Sequence, residues 1–195
     1  MLVDLGEKFS KKLREVRRES MLLGVQPIDL EDGMILASTA FLVASRGEVL
    51  AIDLGAGAGY SSLWIAAGLE AGCCNSCRLV LVEKKRERIE KARRILGSFS
   101  WRIGIEYHRA DAIKYLESLP DSSIDMIFVD IDKKLYPDTL ELLERKLVER
   151  GVAIFHNAYT PRPPRTFYEK LESTTWKSSI VPTPQGLLVA YLERR

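Results

Sequence analysis

The sequence predicts an α/β fold, a doubly wound, mostly parallel sheet of seven strands with helices on both faces. Three observations predict it. Short apolar runs rich in β-branched residues alternate with longer amphipathic segments along most of the chain. The apolar run at 49–52 leads into a turn in which Gly55, Gly57 and Gly59 alternate, and helical spacing follows that turn. The last two runs are joined by only four residues, too few for a parallel crossover, so the C-terminal strand is expected to be antiparallel.

Two helices are expected before the first strand. Residues 3–21 are amphipathic, with Phe9, Leu13 and Val16 on one face and lysines, arginines and interleaved acids on the other. A loop containing a proline separates this segment from a second helix at 30–44. We expect a single domain over residues 1–195, in which 1–45 cover a ligand site and 46–195 form the core.

The later elements follow from the same alternation. A helix beginning at Tyr60 follows the glycine turn, and Gly151 is expected to end the helix at 137–150, whose leucines form one stripe. The predicted strands are 49–52, 78–83, 105–109, 124–130, 151–157, 176–182 and 187–193. The other predicted helices are 85–96, a short segment after Asp111, and 164–173.

Composition limits the possible classes of protein. The chain has 195 residues, of which 46% are hydrophobic and 29% charged, as in folded globular proteins. The net charge of +2 gives no general argument for nucleic-acid binding, so a nucleic-acid partner is not favoured. No apolar run is long enough to span a bilayer and no signal-peptide profile begins the chain, so we expect a cytoplasmic protein without a membrane partner.

Three cysteines lie close together at Cys73, Cys74 and Cys77. Their odd number and the lack of an export signal argue against a disulfide framework. The C-x-x-C spacing has no second Cys or His pair to complete a zinc site. We therefore expect a loop of small, half-buried residues, with metal binding or redox chemistry as the alternative.

Polar side chains stand at or just after the ends of the first five strands. Because parallel strands deliver their carboxyl ends to one edge of the sheet, where ligands bind, these side chains are expected to meet there. Simple solvent exposure of strand ends is the alternative. The residues are Asp53, Glu83, Asp111, Asp130, His156 and Asn157.

The glycine turn indicates a nucleotide-type ligand. Its G-x-G-x-G spacing differs from the G-x-G-x-x-G of dinucleotide folds, although a dinucleotide site and a turn with no cofactor both remain open. Together with Asp53, the turn resembles the first motif of class I S-adenosylmethionine-dependent methyltransferases, whose sheet is Rossmann-like with an antiparallel last strand. The resemblance implies S-adenosylmethionine as cofactor. The residues expected to bind it are Asp53, Gly55, Ala56, Gly57, Gly59, Tyr60, Ser61, Glu83, Lys84, Asp111, Ala112 and Asp130.

Three of these residues have specific expected roles. Glu83 ends the second strand, where a carboxylate can accept both ribose hydroxyls of the cofactor. Asp111 and Ala112 follow the third strand, where an acid and a backbone N–H can meet the adenine edge.

A second resemblance is more specific. Residues 125–145, DMIFVDIDKKLYPDTLELLER, are similar to the catechol and caffeoyl-CoA O-methyltransferase family. That resemblance implies O-methylation assisted by a divalent metal, held at the positions of Asp130, His156 and Asn157, with Lys133 taking the acceptor's proton. The chain departs from the family at His156, where the family has an aspartate. Magnesium prefers oxygen ligands, so this set would better suit manganese or a softer ion. Alternatively the metal has been lost and His156 is the base, or His156 only caps a strand.

Three functions remain open from the sequence. The first is methyl transfer to a hydroxyl of a small, catechol-like acceptor. The second is methylation of a hydroxylated tRNA nucleoside, which some relatives of the resembled family perform. The third is a non-catalytic S-adenosylmethionine-binding protein. The resemblance also leaves a homodimer open.

Overall fold

The fold was analysed in a computed structural model that describes residues 2–74, 76–173 and 176–193. Its helices are α1 (Leu2–Leu22), α2 (Leu30–Ala44), α3 (Tyr60–Gly72), α4 (Arg86–Leu96), α5 (Ala112–Ser118), α6 (Tyr136–Lys146) and α7 (Arg165–Ser173). Its strands are β1 (Val49–Leu54), β2 (Cys77–Val82), β3 (Gly104–His108), β4 (Ile124–Val129), β5 (Leu147–His156), β6 (Trp176–Val181) and β7 (Leu187–Leu192). A short 3₁₀ turn, Lys133–Leu135, precedes α6.

The strands form one seven-stranded sheet in the order β3-β2-β1-β4-β5-β7-β6. β1 pairs in parallel with both β2 and β4, and β7 pairs antiparallel with both β5 and β6. The predicted doubly wound sheet with an antiparallel C-terminal strand is therefore confirmed. Chain order reverses between β1 and β4, which is where a doubly wound sheet opens a crevice at the carboxyl ends of its strands.

A hydrophobic core lies on each face of the sheet. The core on one face joins the sheet to α1–α4 through residues such as Leu36, Leu63 and Leu96, and the other joins it to α5–α7 through residues such as Tyr136 and Phe167. All five of these side chains are fully buried. The predicted helices on both faces are thus confirmed.

α2 packs unusually close to α3. A Cβ atom built on Gly68 would collide with the carbonyl oxygen of Ala37, and one on Gly72 would collide with that of Phe41. Gly33 likewise lies directly against the ring of Trp64. The absence of side chains at these three positions lets the two helix backbones touch, so α2 is fixed against the core domain.

Two local expectations were wrong. Residues 147–150 were predicted as the end of a helix, but α6 ends at Lys146 and Leu147 already pairs with Ile124 in the sheet. The Lys146 ammonium turns inward and donates to the Leu119 carbonyl at 2.6 Å, so the last residue of the helix is tied to the loop before β4. The leucine stripe continues across this boundary because Leu147 faces the same core as the helix does.

The second wrong expectation concerns the cysteines. Cys73 and Cys77 form a disulfide, and Cys74 is free and exposed. The Cys73 end of α3 and the start of β2 are brought together by a very short loop, so sequence proximity alone makes the pairing possible.

None of the helices in the described ranges has the length and apolarity to cross a membrane.

Candidate functional site

The glycine turn lies at the carboxyl end of β1, between β2 and β4. The backbone N–H groups of Gly55 and Ala56 both donate to the carbonyl of Val82, at 2.9 and 3.1 Å, and tie the turn to the end of β2. Gly55 has φ +96°, and a Cβ there would collide with the backbone carbonyl of Asp130 at the end of β4. Only glycine therefore fits where the two strand ends meet.

A cavity of about 330 Å³ opens beside this turn. A second cavity, of about 20 Å³, adjoins it beneath the loop after α1 and shares Gly55, Gly57 and Asp130 with the first. We call the two together the cleft. Its floor is made by strand ends, and its roof by the loop between α1 and α2. The roof residues common to both cavities are Val25 and Gln26.

Glu83 projects into this cleft from the end of β2. Its side chain is 6% exposed, and its two carboxylate oxygens accept from the backbone N–H groups of Gly57, at 3.1 Å, and Lys85, at 2.8 Å. These two bonds fix the carboxylate across the mouth of the glycine turn. Each oxygen retains lone-pair capacity for a hydroxyl donor.

The environment of Asp53 differs from that of Glu83. It is fully buried and its Oδ2 accepts from the hydroxyls of Ser61, at 2.7 Å, and Ser62, at 2.5 Å, in the first turn of α3. Burial raises the pKa of Asp53 to about 7, because the two serine hydroxyls offset only part of the cost of removing the charge from water. Asp53 thus anchors the start of α3 and does not line the cleft.

Asp111 lies on the opposite wall. Its Oδ1 accepts from the backbone N–H groups of Ile113 and Lys114, at 3.1 and 3.2 Å, and so caps the N-terminus of α5. Asp111 and its neighbour Ala112 both line the larger cavity.

Asp130 is the meeting point of the charged groups. Its Oδ1 accepts from the Lys133 ammonium at 2.7 Å, and Lys133 also donates to the Tyr136 hydroxyl at 3.1 Å. Burial raises the pKa of the Asp130 carboxyl, but the facing His156 ring and the Lys133 ammonium outweigh it, so the pKa is lowered. Asp130 is therefore an ionised carboxylate that lines both cavities.

His156 lies between two carboxylates. Its Nδ1 is 3.4 Å from Asp130 Oδ2, and its Nε2 is 3.2 Å from Asp32 Oδ2 on α2. Both distances are those of ion pairs, and neither contact has the angle of a well-aligned hydrogen bond. Burial alone would lower the pKa of His156, but the two carboxylates raise it to about 9. The ring is therefore an imidazolium at neutral pH.

Asn157 points elsewhere. It adopts φ +60°, and its side-chain amide donates to the Thr160 carbonyl at 2.7 Å and to Gln185 Oε1 at 2.8 Å. These bonds hold together the loops after β5 and before β7. Across the described ranges, no three His, Cys, Asp or Glu side chains are arranged to hold a metal ion.

Most of the predicted cofactor residues line the cleft, but not all. Asp53 and Gly59 do not line it. Lys133 and His156 form a layer beneath Asp130, whereas the Asn157 side chain bonds to Thr160 and Gln185. The predicted residues that line the cleft are Gly55, Ala56, Gly57, Tyr60, Ser61, Glu83, Lys84, Asp111, Ala112 and Asp130.

Two contributors were missed from the sequence. Asp32 is completely buried although it stands beside Glu31 in the first turn of α2, and an acid at the start of a helix was the only available signal. Arg88 on α4 donates to the carbonyls of Leu23 and Gly24, at 3.4 and 3.2 Å, and holds the roof loop over the cleft. A surface arginine in a highly charged helix gave no such signal.

Comparison with known proteins identifies this architecture. The family described as a methyltransferase domain matches residues 52–158, which include the glycine turn, Glu83 and the Asp130–His156 layer. The chain belongs to the methyltransferase domain family. The predicted resemblance to class I S-adenosylmethionine-dependent methyltransferases is confirmed.

Individual relatives agree with this assignment. The chain is 29% identical over 149 residues to a Mycobacterium ulcerans protein named "Putative O-methyltransferase", covering 75% of this chain and 62% of that protein. It thus spans less than two thirds of that relative's length. A methyltransferase structure from Geobacter sulfurreducens matches with a TM-score of 0.78 and 25% identity, over 96% of this chain and 89% of that one. The O-methyltransferase from Bacillus cereus, solved in complex with SAH, shares the fold with a TM-score of 0.72 and 21% identity over 94% and 91%.

Proposed function

We propose that this methyltransferase-family chain transfers a methyl group from S-adenosylmethionine to a hydroxyl of a small acceptor. The observation that carries the proposal is the cleft at the β1–β4 switch point, with the Glu83 carboxylate fixed across the glycine turn. A carboxylate held in this way has oxygen lone pairs left to accept from the two hydroxyls of a ribose. The B. cereus relative bound to SAH supports a cofactor of this class in the same fold.

The cofactor is proposed to lie along the cleft from Asp111 to Gly57. Asp111 and Ala112 would face the adenine, Glu83 the ribose, and the smaller cavity beneath Val25 the methionyl end. Asp130 lies at the junction of the two cavities, where its negative charge would attract the sulfonium. Because the sulfonium carries an activated methyl group, the protein's main contribution is to position the two reactants and stabilise charge.

Lys133 and His156 are proposed to hold Asp130 in place rather than to take the acceptor's proton. Lys133 donates to Asp130 at 2.7 Å, and His156 lies at ion-pair distance from two carboxylates. Neither group offers a free lone pair to a hydroxyl in this arrangement. The acceptor is proposed to enter where the roof loop meets Ile131 and Leu135, which add apolar surface to the cavity wall.

Isothermal titration calorimetry with S-adenosylmethionine and its demethylated product tests the first part of the proposal. We expect one site per chain, with affinity lost in Glu83→Ala. The matched control is Glu106→Ala, since Glu106 is a half-exposed carboxylate on β3 outside the cleft. Binding of NAD, with no response to either sulfur compound, would contradict the proposal.

Radiolabelled methyl transfer to a panel of catechols and other small phenols tests the second part, with bulk tRNA as the alternative acceptor. Incorporation into a small phenol supports the proposal. Incorporation into tRNA alone would replace it with nucleoside methylation. Tight cofactor binding without any transfer would favour a non-catalytic cofactor-binding protein.

A further inference from the structure

A chain of four charged side chains runs beneath the cleft from α2 to the turn before α6. Asp32 faces His156 Nε2 at 3.2 Å, His156 Nδ1 faces Asp130 Oδ2 at 3.4 Å, and Lys133 donates to Asp130 Oδ1 at 2.7 Å. Acids and bases alternate along it. Both oxygens of Asp130 and both nitrogens of His156 therefore already face a group of opposite charge.

This arrangement does not provide the donor set of a divalent cation site. The two nitrogens of His156 lie on different sides of its ring and face different carboxylates, so Asp32, His156 and Asp130 do not converge on one point. The Lys133 ammonium beside Asp130 adds a fixed positive charge that a nearby cation would have to overcome. Asn157, the remaining predicted ligand, uses its amide to join two loops.

The side chains on either side of the Asp32–His156 contact are buried. Asp32 is 0% and His156 2% exposed, so a hydrated ion has no open space beside them. The carbonyl of His156 accepts from the Tyr136 hydroxyl at 3.0 Å, and that hydroxyl accepts from Lys133. These bonds hold the backbone at His156, and a ring that swung aside would lose its contacts with both Asp32 and Asp130.

We infer that this chain binds no divalent cation at Asp130, and that the bridge Asp32–His156–Asp130 fixes the carboxylate there instead. Its enzymatic consequence, methyl transfer that needs no metal, rests on the proposed function. The inference about metal binding does not, because it concerns the free protein.

The test is titration of the cofactor-free protein with Mn²⁺, followed by electron paramagnetic resonance of the free ion. With equal concentrations of wild-type protein and Mn²⁺, we expect the full signal of unbound Mn²⁺. Any weaker binding that lowers this signal should be the same in Asp130→Asn as in the wild-type protein. Binding of one Mn²⁺ per chain that Asp130→Asn removes would overturn the inference.

A gain-of-binding variant tests the reason for the exclusion. His156→Asp replaces the imidazole by a third carboxylate beside Asp32 and Asp130, and we expect it to bind Mn²⁺ and to melt at a higher temperature with the ion than without it. His156→Asn is the matched control, since it removes the ring without adding a charge and should bind no Mn²⁺. A folded His156→Asp protein that binds no Mn²⁺ would count against the inference. If that variant does not fold, the titration of the wild-type protein decides the question by itself.

An activity measurement separates the inference from the proposed function. We expect any initial rate of methyl transfer to be the same with EDTA as with added Mg²⁺ or Mn²⁺. A rate abolished by EDTA and restored by either ion would overturn metal independence. A protein that ignores S-adenosylmethionine would refute the proposed function, while the Mn²⁺ titration would still decide the question of the cation site.

Discussion

Replacing His156 by glutamine should change how the stability of the fold depends on pH. The pKa of His156 is raised from 6.5 to about 9 in the folded protein by Asp130 and Asp32. Because the folded state binds the proton more tightly than the unfolded chain, the stabilisation is complete below pH 6.5 and is lost as pH rises through 9. Each pKa unit corresponds to about 1.4 kcal/mol, so the full contribution is about 3 kcal/mol.

Urea unfolding followed by circular dichroism measures this effect, since urea does not screen charges. The difference in free energy of unfolding between wild type and His156→Gln should shrink by about 3 kcal/mol from pH 6 to pH 10. His108→Gln is the matched control, because His108 is a half-exposed histidine on β3. A difference that stays constant over this range, or that His108→Gln reproduces, would refute the assignment of a charged ring between two carboxylates.

Three further predictions follow from the site. Gly55→Ala should destabilise the protein and abolish cofactor binding, because the new Cβ would collide with the backbone at the end of β4. Gly47→Ala is the control: Gly47 also has a positive φ but open space around it, so this change should cost only about 1 kcal/mol of stability. Urea unfolding measures the stability of both variants, and calorimetry measures their cofactor binding. Glu83→Gln should weaken cofactor binding by roughly 10- to 100-fold, the equivalent of about 1.5–3 kcal/mol for a charged hydrogen bond, as calorimetry would show; undiminished affinity would exclude Glu83 from the ribose site. Asp53→Asn should flatten the decline in stability between pH 4 and 7, because over that range the carboxyl of the unfolded chain loses its proton while the buried one, with a pKa of about 7, keeps it; urea unfolding across that range would contradict the assignment if the slope persisted.

Much of the fold could be predicted from local patterns. The glycine turn, the strand ends and the short C-terminal connection each depend on backbone rules that neighbouring residues suffice to reveal, and α2 was predicted with its observed bounds. The boundary between α6 and β5 at Lys146 could not be predicted, because the same stripe of leucines continues from the end of the helix into the start of the strand. The pairing of Ile124 with Leu147 decides it, and that is a tertiary contact.

The candidate site was predicted less completely, and for a physical reason. Strand order determines which strand ends meet, so Glu83, Asp111 and Asp130 could be placed from the sequence together. The charge state of His156 depends on Asp32, which comes from a helix more than a hundred residues earlier in the chain. The resemblance to the O-methyltransferase family identified His156 as a departure, but its charge is set by a partner that no local spacing indicates.

The contact between α2 and α3 has a consequence for the electrostatics of this cleft. The glycines at 33, 68 and 72 determine how far α2 stands from the sheet, and the same helix carries Asp32. A larger residue at any of the three would wedge the helices apart and withdraw the carboxylate from His156. The charge arrangement at the edge of the cleft therefore depends on a helix crossing that does not touch it, so a substitution there would alter the electrostatics of the cleft without changing any residue that lines it.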